Sequence, residues 1–165
     1  MLLRRETAAD VGAIDEVHRS AFGRDVEAAL VHALRVDAGW VPALSIVAED
    51  GAGRVVGHVV ATLGRVVDVP VAGVGPVGVR PQDQGRGVGQ ALVHAVLAAS
   101  DALGLPLAVL LGAPGYYGRF GFVPAADLGV GSPDPAWGEH LQARPLGTYA
   151  GERGAFAYAA PFDGL

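Results

Sequence analysis

The spacing of apolar residues changes along the chain, and each change predicts an element. Leu2–Arg5 reads as a short first strand. Thr7 stands three residues before Asp10, a pairing that caps helix starts. The helix it opens carries Val11, Ile14, Val17 and Ala21 on its inner stripe and breaks at Gly23. Asp25 can cap a second helix, with Val26, Ala29, Leu30, Ala33 and Leu34 at helical spacing. Residues 40–43, Trp-Val-Pro-Ala, read as an apolar loop ahead of a strand over 44–49. Asp50-Gly51-Ala52-Gly53 punctuates a hairpin, whose second arm, 54–65, is rich in Val. Asp68 and Pro70 suggest a turn or bulge before a short buried strand over 75–79. Apolar residues at 88, 92, 95, 96, 99 and 103 predict a helix over Val88–Ala102. Leu107–Leu111 is a further apolar strand. Beyond Pro124 the pattern weakens: 126–139 reads as loop, 140–146 and 155–160 as strands. The sum is an antiparallel meander, a glycine-rich crossing, a helix, and a strand parallel to the central one. That is a single α/β domain over 1–165, without repeat or linker.

The crossing carries the chemistry. Between the central strand and the helix runs VRPQDQGRGVG, with glycines at 85, 87 and 89. Glycines take positive φ and let the backbone approach a ligand, and the first turn of a helix offers unpaired N–H groups to an anion. A dinucleotide fingerprint would show G-x-G-x-x-G on a first strand with an acid about 20 residues on. Here the glycines run G-x-G-x-G, position 90 is Gln, and the strand lies mid-chain. A Walker loop needs Lys after Gly; this chain has none, and its 12 basic residues are all Arg. A glycine-rich turn without a ligand is the competing reading.

Composition narrows the classes. The chain has 165 residues, 51% of them hydrophobic and 18% charged, enough for a real core and unlike a disordered segment. A net charge of −5 without a basic run speaks against nucleic acid. No apolar run is long enough for a bilayer, and the N-terminus lacks the order of a signal peptide, so no membrane association and a cytoplasmic location are expected. Without cysteine there is no disulfide and no thiol nucleophile. No two His share a helical i, i+4 face with a carboxylate, so no metal is expected.

Gln84-x-x-Gly87-x-Gly89 after a strand resembles the pyrophosphate loop of the GNAT superfamily of acetyl-CoA-dependent N-acetyltransferases. One helix and one strand later, Tyr117-Gly118-Arg119-Phe120-Gly121-Phe122 matches the Tyr-x-x-x-Gly-Phe that ends a short helix in that superfamily. The flanks, from LLRRETAADVGAI to the final FDGL, resemble more narrowly the YhbS-like predicted acetyltransferases. The resemblance implies an acyl-CoA N-acyltransferase fold: a central mixed, mostly antiparallel sheet flanked by helices, with its central parallel strand pair splayed.

It also implies roles. Acetyl-CoA would be the cosubstrate, and a small-molecule or protein primary amine the acceptor. Backbone N–H groups of Gly85, Arg86, Gly87, Val88 and Gly89 would hold the pyrophosphate, with Gln84 positioning the loop and the Arg86 charge adding to it. Backbone groups of Val77, Gly78 and Val79 would bond the pantetheine arm and the acetyl carbonyl. Tyr117 would protonate the leaving thiolate; its hydroxyl has a reference pKa of ~10 against ~8.5 for a thiol. His58, inside an apolar GHVVA run, is a candidate general base, against a hydrogen-bonded structural His or a water chain. His18, His32 and His94 read as solvent-facing. Residues 40–43 would either border the acceptor pocket, as in the superfamily, or simply fold onto the core. One departure stands out: Gly112-Ala113-Pro114 occurs where relatives carry Asn or Asp, so a side-chain contact to the cofactor is missing there or supplied by backbone. Direct transfer in a ternary complex follows from the absence of Cys and of a Ser in a nucleophile setting. A non-catalytic acyl-CoA-binding regulatory module and a nucleotide-binding oxidoreductase are the rival readings. A homodimer is expected to cover apolar edge strands near the C-terminus.

Overall fold

The computed structural model describes residues 1–164; Leu165, which closes the FDGL stretch, lies outside the described residues. Strand β1 (Leu2–Arg5) leads through a 3-10 turn, Ala8–Asp10, into helix α1 (Val11–Phe22). The turn is closed by the Asp10 carboxylate, which accepts from the Thr7 backbone N–H at 2.7 Å and from the Thr7 hydroxyl at 2.8 Å. Gly23 ends α1 in the left-handed conformation. Helix α2 (Val26–Arg35) follows, then β2 (Trp40–Glu49), β3 (Val55–Val66) and β4 (Val69–Val79) as an antiparallel meander. Helix α3 (Val88–Ala102) crosses to β5 (Leu107–Leu111), and α4 (Pro114–Tyr117) follows. The remaining strands are β6 (Val123–Pro124), β7 (Val130–Gly131), β8 (Leu141–Pro145) and β9 (Gly154–Ala157).

The main path of the sheet runs β1-β2-β3-β4-β5-β8-β6, with β4 and β5 its parallel pair. Helix α3 covers one face, burying Leu92, Val93 and Val96 against Val59, Ala61, Ala72 and Leu110. Helices α1 and α2 cover the other with Ile14, Val17, Leu30 and Leu34 against Val47 and Val60. Among the described residues no helix is long and apolar enough to cross a membrane.

Three expectations are corrected. Residues 40–43 belong to β2 and are not a loop: Trp40 pairs with Thr62, and the register then slips before Ser45 pairs with Val60. Pro42 falls inside that irregularity, where no ladder N–H is demanded. The central strand is the whole of β4, not 75–79 alone. It starts directly after the two-residue turn at Val67-Asp68, and Gly75-Pro76 sit at a bulge between the pairs Val59–Val77 and Ala61–Val74. Finally, α2 is rotated from the expected face. Glu27, Leu30, Val31 and Leu34 point inward, whereas Val26, Ala29 and Ala33 are exposed. Both stripes keep spacings of three and four, so periodicity alone does not choose between them.

Candidate active site

The parallel pairing of β4 and β5 is brief: the register holds Ala72 with Ala108 and Gly73 with Val109. Past Gly73, β4 continues to Val79 along β3 while β5 turns away into α4. The β5-facing side of β4 is therefore open along Val74–Val79, and Val77 and Val79 border the cleft that results.

The glycine loop closes one end of this cleft. Gly85 (φ 73°) and Gly87 (φ 82°) hold left-handed backbone, and the space where their Cβ atoms would stand is empty to 4 Å. The first backbone bond of α3 runs from the Ala91 N–H to the Gly87 carbonyl at 3.0 Å. That leaves the N–H groups of Val88, Gly89 and Gln90 without intrahelical partners. The Gln84 side-chain amide donates to the Val79 carbonyl at 3.0 Å, tying the loop to the end of β4. Arg86 is mostly exposed and stands 3.7 Å from the buried Asp83 carboxylate. Gln84, Gly85, Gly87, Val88 and Gly89 line one cavity of about 600 Å³ with Val77, Val79, Tyr116 and Tyr117. Arg119 borders it too, donating from Nε to the Tyr116 carbonyl at 2.9 Å with its guanidinium over the Tyr116 ring. In the sequence Arg119 is a variable position of the Tyr motif, and only its place at the cavity border marks it out. A glycine-floored cradle at a helix start, with the Arg119 guanidinium at its border, suits a pyrophosphate.

A second cavity, about 550 Å³, lies on the other side of Tyr117 and shares Phe22, Val77 and Tyr117 with the first. Tyr117 thus stands where the two meet. Burial, and secondarily Tyr116, push its hydroxyl up to about 12, so it stays protonated at neutral pH. The Gly112 departure has a steric explanation. A Cβ at Gly112 would lie 2.3 Å from Tyr117 Cε2 and 2.7 Å from Cδ2, so an Asn or Asp there would displace the ring. Gly112 instead offers its carbonyl, which accepts from the Gln142 amide at 3.0 Å.

His58 is not brought to Tyr117. It is 0% exposed, lines neither cavity, and has both ring nitrogens engaged. Nε2 is 2.9 Å from the Ser45 hydroxyl and 3.3 Å from Glu6 Oε2, and Nδ1 is 2.8 Å from His18 Nε2. A general base must reach the acceptor's proton directly or through one water, and this ring is occupied within the core. His18, expected at the surface, is also 0% exposed. It occupies the space beside Gly78, where a Cβ would come within 2.9 Å of His18 Nδ1. The polar array runs on through Glu6 to Arg35, whose Nε donates to Glu6 Oε1 at 2.8 Å. His32 and His94 are exposed as expected. Among the described residues no group of three or more His, Asp or Glu is arranged to hold a metal ion.

An open parallel strand pair flanked by a glycine cradle and a tyrosine defines an acyl-CoA N-acyltransferase fold, and the sequence agrees. Residues 3–125 match the acetyltransferase (GNAT) domain family, and the chain belongs to that family. It is 38% identical over 128 residues to the uncharacterized N-acetyltransferase YhbS of Escherichia coli K12, covering 76% of this chain and 75% of that protein. Its identity to YjhQ of the same strain, also an uncharacterized N-acetyltransferase, is 38% over 136 residues, 79% of this chain and 75% of that one. The crystal structure of E. coli YhbS in complex with CoA superposes with a TM-score of 0.91 at 32% identity, over 98% of this chain and 91% of that one. A GNAT family acetyltransferase from Brucella melitensis in complex with acetyl-CoA gives 0.78 at 32% identity, over 98% and 97%.

Proposed function

We propose that this chain transfers an acetyl group from acetyl-CoA to a primary amine by direct attack in a ternary complex. The observation that carries the reading is the junction of two cavities at Tyr117, one floored by the glycine loop and the other open to an acceptor. Gly85, Arg86, Gly87, Val88 and Gly89 hold the pyrophosphate through backbone N–H groups, with Gln84 anchoring the loop to β4. Backbone groups of the stretch Val77, Gly78 and Val79, on the open side of β4, bond the pantetheine arm and polarise the acetyl carbonyl. The amine nitrogen attacks the carbonyl carbon, the C–N bond forms, and the C–S bond breaks with its electron pair leaving on sulfur. Tyr117 gives that sulfur its proton. The acceptor's ammonium gives one proton to water before its nitrogen attacks, and the second proton, lost as the C–N bond forms, passes through water to restore Tyr117. The products are the N-acetyl amine and CoA. No side chain is required as base, because water reaches the junction through the open cleft.

Calorimetric titration with acetyl-CoA, with NADH as control, tests the cofactor. Micromolar binding, about −8 kcal/mol, without response to NADH is the expected outcome. Tyr117→Phe tests the chemistry. Turnover measured by thiol release should fall about 100-fold, with acetyl-CoA affinity unchanged. Unaltered turnover would remove Tyr117 from the mechanism. Tight acetyl-CoA binding with no turnover of any amine would favour a regulatory binding module.

A further inference from the structure

We infer that the acceptor of this enzyme is a monocationic primary amine on an aromatic or other flat apolar body, recognised through Glu27. The inference rests on the acetyltransferase reading above and concerns the second cavity alone. At about 550 Å³ that cavity has the size of a small-molecule site. Phe22, Leu30, Trp137 and Phe162 furnish its walls, and Val77 and Tyr117 join it to the cofactor side. Among the described residues only two charged side chains line it, Arg24 and Glu27. They are unequal. The Glu27 side chain is 10% exposed and that of Arg24 is 63% exposed. Arg24 donates to Glu27 through Nε at 3.0 Å and also through Nη2, so an exposed surface cation covers a buried carboxylate.

A carboxylate in an apolar setting needs a cationic donor, and charge-assisted bonds are the strong ones. An incoming ammonium can take the place of the guanidinium, which returns to water at little cost. One carboxylate matches one ammonium. A polyamine or aminoglycoside would bring further charges and hydroxyls into walls that pair few of them. A flat apolar body instead gains contact with Trp137, Phe22 and Phe162.

The test uses 2-phenylethylamine on the intact protein with CoA bound, read by Trp137 fluorescence, with Trp137→Phe identifying the signal. It also compares thiol-release rates for 2-phenylethylamine, kanamycin and a lysine peptide. 2-Phenylethylamine should bind, neutral 2-phenylethanol should bind at least tenfold more weakly, and the arylalkylamine should have the highest kcat/KM by tenfold or more. Glu27→Gln should raise KM about tenfold, whereas Arg24→Met, by uncovering the carboxylate, should lower KM severalfold. A pair that only supports the fold would shift both variants the same way, which overturns the inference. So would kanamycin or the peptide outpacing the arylalkylamine, or failure of 2-phenylethylamine to bind while acetyl-CoA does. Failure of acetyl-CoA itself to bind overturns the acetyltransferase reading, and this inference with it.

Discussion

Gly87→Glu should weaken acetyl-CoA binding at least 100-fold while leaving the protein folded. Two effects act at this position. The φ of 82° is left-handed, where a side chain costs about 1–2 kcal/mol, a modest part of a domain's stability. The charge does not oppose the helix, since a carboxylate at the start of α3 lies at the favourable end of its dipole. The new side chain also has room, because nothing stands within 4 Å of the Gly87 Cβ position. That room is the space assigned to the pyrophosphate, so the substituted carboxylate fills it and repels a second anion there. Calorimetry measures the loss, and the unfolding midpoint in urea separates it from destabilisation. Affinity within threefold of the parent protein would show that the loop does not hold the phosphates.

Acid should destabilise the fold well above the pH at which carboxylates titrate, because of the buried His18–His58 pair. Burial, and then the neighbouring His58, push His18 down to about 3 from its ordinary 6.5. Burial also lowers His58, outweighing the Glu6 carboxylate beside it. The hydrogen bonds are compatible with two neutral rings. Ser45 donates to Glu6 and accepts from His58 Nε2–H, and with His58 neutral its Nδ1 accepts from His18 Nε2–H. Burial of both rings is what favours the neutral pair. The unfolded chain binds a proton at each near pH 6.5 and the folded chain does not, so stability is fully present above about pH 6.5 and falls as the pH drops towards 3. For His18 alone the slope is about 1.4 kcal/mol per pH unit, or about 3 kcal/mol lost by pH 4.5. Glu6, lowered to about 2 against the desolvation that burial imposes, adds its share only below its ordinary 4.5. Urea unfolding at stepped pH measures the slope, and His18→Leu combined with His58→Leu should flatten it between pH 6.5 and 5. A parent protein equally stable at pH 7 and pH 5 would show that the pair is not held neutral.

What could be read in advance was local in the chain. The loop at 84–89 carries its alternating glycines, 85, 87 and 89, within one contiguous stretch, and the Tyr117 helix carries its motif within six positions. The strand–loop–helix order around them follows from abrupt changes of period, so Val88–Ala102 and Leu107–Leu111 were legible to the residue. Short-range rules were less able where two patterns share one spacing. The expected inner face of α2 and the real one both step by three and four, and only packing against β2 and β3 turns Glu27 inward. A buried carboxylate on an otherwise apolar stripe leaves no trace in hydrophobic periodicity, so the second cavity's charged pair went unseen.

The order of elements as far as β5, the glycine loop and the tyrosine motif were fixed by the chain itself, because each is written in contiguous residues whose backbone preferences act locally. The rest depends on how distant segments pack. Glu6, His18, Ser45, Arg35 and His58 come from β1's end, two helices and two strands, and their bonding depends on sheet register. The open edge of β4 depends on where β5 stops pairing, and the fit of Gly112 beneath Tyr117 on a turn of backbone between them. Those are contacts between segments distant in the chain or set by their geometry in space, and the free energy of burial that selects them belongs to the assembled core.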